Sequence, residues 1–289
     1  MADRLNPGSS AGRRGRLALR WFILLTLVIL TSTACGDTTG DGSTTTPAPT
    51  TTLELSTTAT MTESTITTAV PEPTTTVHPL TIMAIGDSIT SGSTGWATYR
   101  CYLNGALDDD EVSFDFVGRN SAPHRGGPYG CPTVFDEDHE AMWGAHIQDV
   151  VDDVTTSVGV LQPDVALVHL GTNDLSHGQG PAGTADELGS FVAGLQAVSP
   201  DITILVAQII PCDTPAVWCT EDLPAFNDAV ASFAGLSTGG SSVIVVDMET
   251  GFDLSDLRDA LHPTDAGDEI MASRWMAALQ EAGVIEVSG

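Results

Sequence analysis

Five short apolar runs constrain this chain more than any other feature: LTIMAIG (80–86), FDFVG (114–118), DVALVHLG (164–171), ITILVAQII (202–210) and SVIVVDM (242–248). Most are rich in β-branched residues and apolar at successive positions rather than alternate ones. A strand of that composition is buried on both faces, which is the condition of strands in a parallel sheet. Helix-like stretches separate the runs, at 98–107, 145–158, 184–198, 224–234 and 265–281. Strands alternating with helices imply a doubly wound α/β fold with five parallel strands. There is no internal repeat and no sign of a second folded domain, so one domain over 79–289 is expected. Ligands in such sheets bind beyond the carboxyl ends of the strands. Here those ends read Gly86-Asp87-Ser88, Gly171-Thr172-Asn173-Asp174, Pro211 and Asp247.

The segment before the folded part has a different character. Arginines lead into WFILLTLVILTSTAC, whose apolar stretch 21–30 is shorter than the roughly 20 residues of a membrane span. Small residues close it at Ala34-Cys35, the pattern of a secretory leader over 1–35. That end resembles a bacterial lipobox, in which Cys35 becomes lipidated after cleavage; Ser32 departs from the usual Leu. Ordinary secretion and an uncleaved anchor are the alternatives. Residues 36–78 are dominated by Thr and Pro, cannot build a core, and read as a disordered stalk. The expected location is the outer face of the cytoplasmic membrane if Cys35 is lipidated, otherwise the extracellular space.

Charge narrows the partners. The chain has 10 Lys+Arg, all arginine, against 38 Asp+Glu, a net charge of −28. Removal of the leader takes five arginines and Asp3, leaving 5 − 37 = −32. Such a surface repels phosphate backbones, which argues against nucleic-acid binding. Beyond Cys35 there are four cysteines, Cys101, Cys131, Cys212 and Cys219, an even number suited to disulfides in an exported chain. The short loop PCDTPAVWC favours Cys212–Cys219, which leaves Cys101–Cys131. A zinc site is the weaker alternative, because neither CxxC nor paired-His spacing occurs. The acidic runs LDDDE and FDEDHE read as solvated loops and match no EF-hand pattern.

Three short motifs carry chemistry. In GDSIT a strand breaks at Gly86 and a helix begins, which presents Ser88 at the edge of the sheet as in a nucleophile elbow. A serine hydroxyl needs a base. DALHPTDAG supplies one: Asp259 lies three residues before His262, close enough to set the imidazole tautomer, as in a Ser-His-Asp triad. HLGTNDL places Asn173 just past a strand, where its amide can donate to an oxyanion, a contribution of about 3–4 kcal/mol. Each motif alone has an ordinary reading as a turn or cap; together they point to acyl transfer.

GDSIT, GTND and DxxHP, in this order, resemble the SGNH (GDSL-type) hydrolases over most of 80–281. The resemblance implies a flavodoxin-like three-layer α/β/α sandwich, with Ser88 as nucleophile, His262 as base and Asp259 as its partner. It makes Asn173 and the backbone N–H groups of Ser88 and Gly144 the oxyanion donors. Gly144 comes from DHEAMWGAHI, which is similar to the His-Glu-Gly-x-Ser-Gly run of one subgroup; Ala141 replaces its first Gly and Trp143 its Ser. Trp143 is then a substrate wall or a packing residue. GWATYRCYL, FDFVG, ILVAQIIP and LHPTDAGDEIMASRW are similar to the acetyl-xylan-esterase-like branch, carbohydrate esterase family three.

The expected protein is therefore a metal-independent serine esterase acting on a small ester or an acetylated polysaccharide. No cofactor is called for, and a monomer is expected. Trp96, Trp143 and Trp218 are candidate stacking surfaces for sugar. A lipase or lysophospholipase, an acyltransferase, and a non-catalytic carbohydrate-binding lipoprotein are the rival readings. His169 lies inside a strand and reads as a core residue; His124, His139, His146 and His177 lack metal spacing.

Overall fold

The computed structural model describes residues 78–286. The leader with Cys35, and the Thr/Pro-rich segment up to residue 77, lie outside the described residues. Among the described residues no helix is long and apolar enough to cross a membrane.

The apolar runs form the strands β1 (Leu80–Gly86), β2 (Phe114–Phe116), β4 (Val165–His169), β5 (Thr203–Gln208) and β6 (Val243–Asp247), with a two-residue β3 (Glu140–Ala141). All pairings are parallel, in the order β2-β1-β4-β5-β6. The extra strand β3 is where the sheet departs from the five strands expected. β2 pairs only with Leu80–Ile82, and β3 takes over the same strand at Ile85 and Gly86. A segment of two residues has no apolar run to betray it; it exists because the upper half of β1 still has an edge to pair.

The helices are α1 (Ser88–Ser91), α2 (Tyr99–Asp109), α3 (Ile147–Leu161), α4 (Thr172–Ser176), α5 (Pro181–Val198), α6 (Leu223–Val230) and α7 (Asp265–Glu281). Their starts follow local chemistry. Thr98 and Thr264 cap α2 and α7 by accepting the N–H groups of Arg100 and Gly267. Pro181 opens α5 three residues before the expected start, because its fixed φ suits the first helical position. The expected helix at 224–234 stops at Val230, followed by a separate 3₁₀ turn at Phe233–Leu236.

Alternate residues of each strand feed opposite cores. Met83, Ile85, Ala166, Val168, Ile204 and Val206 pack with α3, α5 and α6. Ile82, Val165, Leu167, Leu205 and Ala207 pack with α2 and α7, around the fully buried Tyr99 and Trp275. This is why the runs are apolar at every position: both faces of the sheet are covered. Each buried aliphatic contributes about 1.5–3 kcal/mol, so the sheet is a rigid platform for whatever its carboxyl edge carries. The result is a three-layer α/β/α sandwich, as expected.

Candidate active site

Ser88 stands where β1 ends. Gly86 closes the strand, and a Cβ there would lie 2.1 Å from the Thr90 Oγ1 and 2.9 Å from the His169 carbonyl oxygen. The turn can therefore be this tight only with glycine. Asp87 caps the single turn of α1 by accepting the Ile89 N–H at 3.0 Å, and Gly92 ends that turn at φ +66°. Ser88 is left half-buried at the first position of the turn, its hydroxyl facing the loop before α7.

That loop brings the imidazole. His262 Nε2 lies 3.0 Å from Ser88 Oγ, and its Nδ1 lies 2.9 Å from Asp259 Oδ2. Asp259 Oδ1 also accepts the backbone N–H groups of Leu261 and His262, both at 2.8 Å. Burial opposes ionisation of Asp259, but these N–H groups and the imidazole outweigh it and hold the carboxyl below its usual range. An ionised carboxylate on Nδ1 keeps the proton there and leaves Nε2 free to accept from the hydroxyl. A serine so arranged can be deprotonated as it attacks a carbonyl carbon.

Donors for an oxyanion lie on three segments. The Ser88 and Gly144 backbone N–H groups have no hydrogen-bond acceptor among the described residues. Gly144 adopts φ +74° just after β3, a conformation that glycine takes without strain. Asn173 sits in the first turn of α4, past the end of β4. Its amide nitrogen lies 3.0 Å from the Ala145 carbonyl and 3.1 Å from Asp87 Oδ2.

Aromatic side chains wall the imidazole. Trp143 stacks on His262 with ring centroids 5.0 Å apart and an interplanar angle of 20°, and Trp96 meets the same ring at 5.3 Å. His124 also stacks on Trp143, at 4.5 Å. The Arg258 guanidinium lies 4.7 Å from the Trp96 ring centre and donates to the Pro263 carbonyl, while its backbone N–H donates to the His262 carbonyl at 2.8 Å. Arg258 thus ties the His262 loop to the indole. A cavity of about 10 Å³, bordered by Ser88, Gly92, Trp96, Ala97 and His262, lies beside the hydroxyl; about one water-sized group fits it. A larger depression of about 740 Å³ near His78 and Glu286 lies at the opposite edge of the sheet, away from these groups.

Other residues singled out in the sequence are placed elsewhere. Trp218 packs on the core beside α6. His169 is wholly buried, and burial pushes its imidazole down to about 4. His139 is buried too, pushed down to about 3 by burial and by Arg100, with both ring nitrogens engaged by backbone groups. The cysteines form two disulfides, Cys101–Cys131 and Cys212–Cys219. Among the described residues no group of three or more His, Cys, Asp or Glu side chains is arranged to hold a metal ion.

His124 and Arg258 belong to the site although no sequence pattern marks them. Arg100 is missed for the same reason. Wholly buried, it donates to the Thr90 carbonyl at 3.0 Å, the Glu137 carbonyl at 2.8 Å and the Tyr129 hydroxyl. It fastens the 117–139 loop to α1, and its partners are mostly backbone oxygens that leave no trace in residue type.

Serine, histidine and aspartate within hydrogen-bond reach at the carboxyl edge of a parallel α/β sheet form an arrangement used by several classes of hydrolase. Residues 84–270 match the GDSL-like lipase/acylhydrolase family, more than half of the chain, and the chain belongs to that family. A multidomain esterase of Ruminococcus flavefaciens is 25% identical over 218 residues, covering 69% of this chain; the chain spans only 28% of that relative's length. Among solved structures, a carbohydrate esterase family 3 protein from Talaromyces cellulolyticus is 25% identical, with a TM-score of 0.62, over 72% of this chain and 100% of its own. A family 3 carbohydrate esterase of Clostridium thermocellum is 26% identical, with a TM-score of 0.58, over 71% and 97%. An acetyl esterase mutant solved with an acetate ion is 25% identical, with a TM-score of 0.62, over 70% and 97%.

Proposed function

We propose that the chain is an exported serine esterase that removes short acyl groups, acetyl above all, from carbohydrate. The observation that carries this reading is the relay from Ser88 through His262 to Asp259, with steps of 3.0 and 2.9 Å. Ser88 Oγ attacks the ester carbonyl while His262 Nε2 takes its proton, and Asp259 stabilises the imidazolium. The oxyanion meets the N–H groups of Ser88 and Gly144 and the amide of Asn173. Collapse expels the alcohol, protonated by His262; water then repeats the sequence on the acyl-enzyme and frees Ser88.

A short acyl group is supported by the acetyl esterase that the chain resembles. Carbohydrate is supported by the family 3 esterases it resembles and by Trp143 and Trp96 at the mouth of the site. Trp143, stacked on His262 and His124, serves as a wall of the site whose ring edge meets the sugar. Export through the leader, anchoring through Cys35, and a monomeric domain on a Thr/Pro-rich stalk complete the proposal; two disulfides suit an oxidising compartment.

An ester series of increasing acyl length, with acetylated xylan included, tests the reading. Acetate esters should be the best substrates, and Ser88→Ala should lower turnover at least about 10³-fold with the fold intact. Full activity in Ser88→Ala refutes the triad. A preference for long acyl chains refutes deacetylation and favours a lipase or lysophospholipase. Mass spectrometry of the mature N-terminus tests the anchor: an unmodified Cys35 refutes it.

A further inference from the structure

Asp87, wholly buried at the end of β1, takes no part in the reaction proposed above, yet it touches the machinery. Its Oδ1 accepts the Ile89 N–H at 3.0 Å, and its Oδ2 accepts from the Asn173 amide nitrogen at 3.1 Å. The Ala145 carbonyl accepts from that same nitrogen at 3.0 Å. The NH₂ of Asn173 is therefore flanked by two acceptors, one from the turn that carries Ser88 and one from the residue after Gly144. The two ends of a side-chain amide are almost equal in size, so hydrogen-bond partners alone decide which end faces a pocket. Acceptors on both sides select the nitrogen and turn the carbonyl oxygen away.

We propose that Asp87 is a positioning residue: it holds the Asn173 amide with its nitrogen toward the oxyanion, as Asp259 holds the ring of His262. This rests on the reading of Asn173 as an oxyanion donor. No proton is transferred between the two side chains. As negative charge develops on the substrate oxygen, a small rotation of the Asn173 amide exchanges its contact with the Ala145 carbonyl for one to that oxygen, while Asp87 keeps the other amide hydrogen. Burial above all, with Asp174 nearby on α4, pushes the Asp87 carboxyl up to about 7. Tyr99 on α2 also faces it electrostatically, held protonated by burial. The two donors on the oxygens of Asp87 suit the ionised carboxyl and oppose the effect of burial.

Asp87→Asn isolates the effect. Both neighbours of Asp87, the Ile89 N–H and the Asn173 NH₂, are donors, and an amide at position 87 can accept from only one of them without presenting its own NH₂ to the other. Steady-state kinetics on p-nitrophenyl acetate would compare D87N, N173A and the double variant in the full chain. D87N should lower kcat about tenfold or more with KM within about twofold, since the lost interaction belongs to the transition state. In the N173A background the same change should alter kcat by less than about twofold, because there is no amide left to position. Unchanged kcat in D87N, or losses that multiply in the double variant, overturns the proposal. Unchanged kcat in N173A alone is a different result: it overturns the donor reading of Asn173, and this proposal with it. If D87N does not fold, Asp87→Ser, smaller and still an acceptor, is read by the same cycle.

Discussion

At the scale of single residues, the site works through small groups held by unusual neighbours. Gly86 is required because a methyl group there would run into Thr90 and the His169 carbonyl. Gly86→Ala should cost about 1–3 kcal/mol of stability, read from denaturant unfolding, and reduce turnover by moving Ser88. Asp259→Asn removes the acceptor that sets the His262 tautomer and should lower kcat by about 10³–10⁴, as a triad carboxylate does elsewhere. The pH dependence of kcat has a second source in Asp87. Its carboxyl, at about 7, gains a proton as the pH falls, and that proton meets only donors, the Ile89 N–H and the Asn173 NH₂. Turnover should therefore fall on the acid side, and D87N should flatten that part of the profile; an acid limb unchanged in D87N belongs to another group. The nearness of Ser88, Asp259 and His262 could be expected from the sequence, because each sits in a short motif at a strand end or helix entrance. Asp87 was legible only as part of the turn, since its contact with Asn173 spans 86 residues of chain.

At the scale of elements, the long 117–139 connection is the least regular part and the most dependent on cross-links. The Cys101–Cys131 disulfide ties it to α2, and Arg100 ties it to α1. This connection also delivers His124 to Trp143. Replacing both Cys101 and Cys131 by alanine should lower stability by about 2–4 kcal/mol in equilibrium unfolding. The same variant should raise KM for acetylated oligosaccharides more than for p-nitrophenyl acetate, because the wall rather than the relay loosens. Equal changes for both substrates would assign the loop to the relay instead. The strands and longer helices were readable because each buries a repeated apolar pattern. β3 was not readable, because two residues carry no pattern and their pairing depends on where β2 ends.

For the whole molecule, charge and burial act together. Burial pushes Asp87 up to about 7, raises Asp174, and raises Asp268 well above its usual range. Each such group binds its proton more tightly folded than unfolded. Its favourable contribution is complete below the unfolded value near 4 and is lost as the pH rises toward the folded one. Asp149, Asp247, Asp253 and Asp259 are lowered and work in the opposite direction, but they lie largely at the surface. Repulsion within an acidic surface also weakens as carboxylates take up protons. His139 and His169, held neutral by burial, lose stability as the pH falls below the ordinary imidazole value near 6.5 and oppose this gain. Asp268→Asn isolates the carboxylate part: it should raise the melting temperature at pH 8 more than at pH 5. The Asp268 carboxyl is 1% exposed, neither oxygen has a hydrogen-bond partner, and the Arg258 guanidinium lies 3.7 Å from Oδ2. An equal change at both pH values would refute this.

By itself the sequence determined the class of fold, the order of the strands' apolar runs, and that polar motifs with Ser88, Asn173 and His262 follow strand ends or precede a helix. These are local: burial on both faces demands unbroken apolar runs, and a tight turn demands glycine. Tertiary structure alone decided that Trp96 joins Trp143 beside His262, that His124 stacks on Trp143, that Arg258 ties the His262 loop to Trp96, and that Asp87 reaches Asn173. Such contacts join segments far apart in the chain, through side chains whose types are common everywhere. Only the packing of the cores on either side of the sheet brings them within reach of one another.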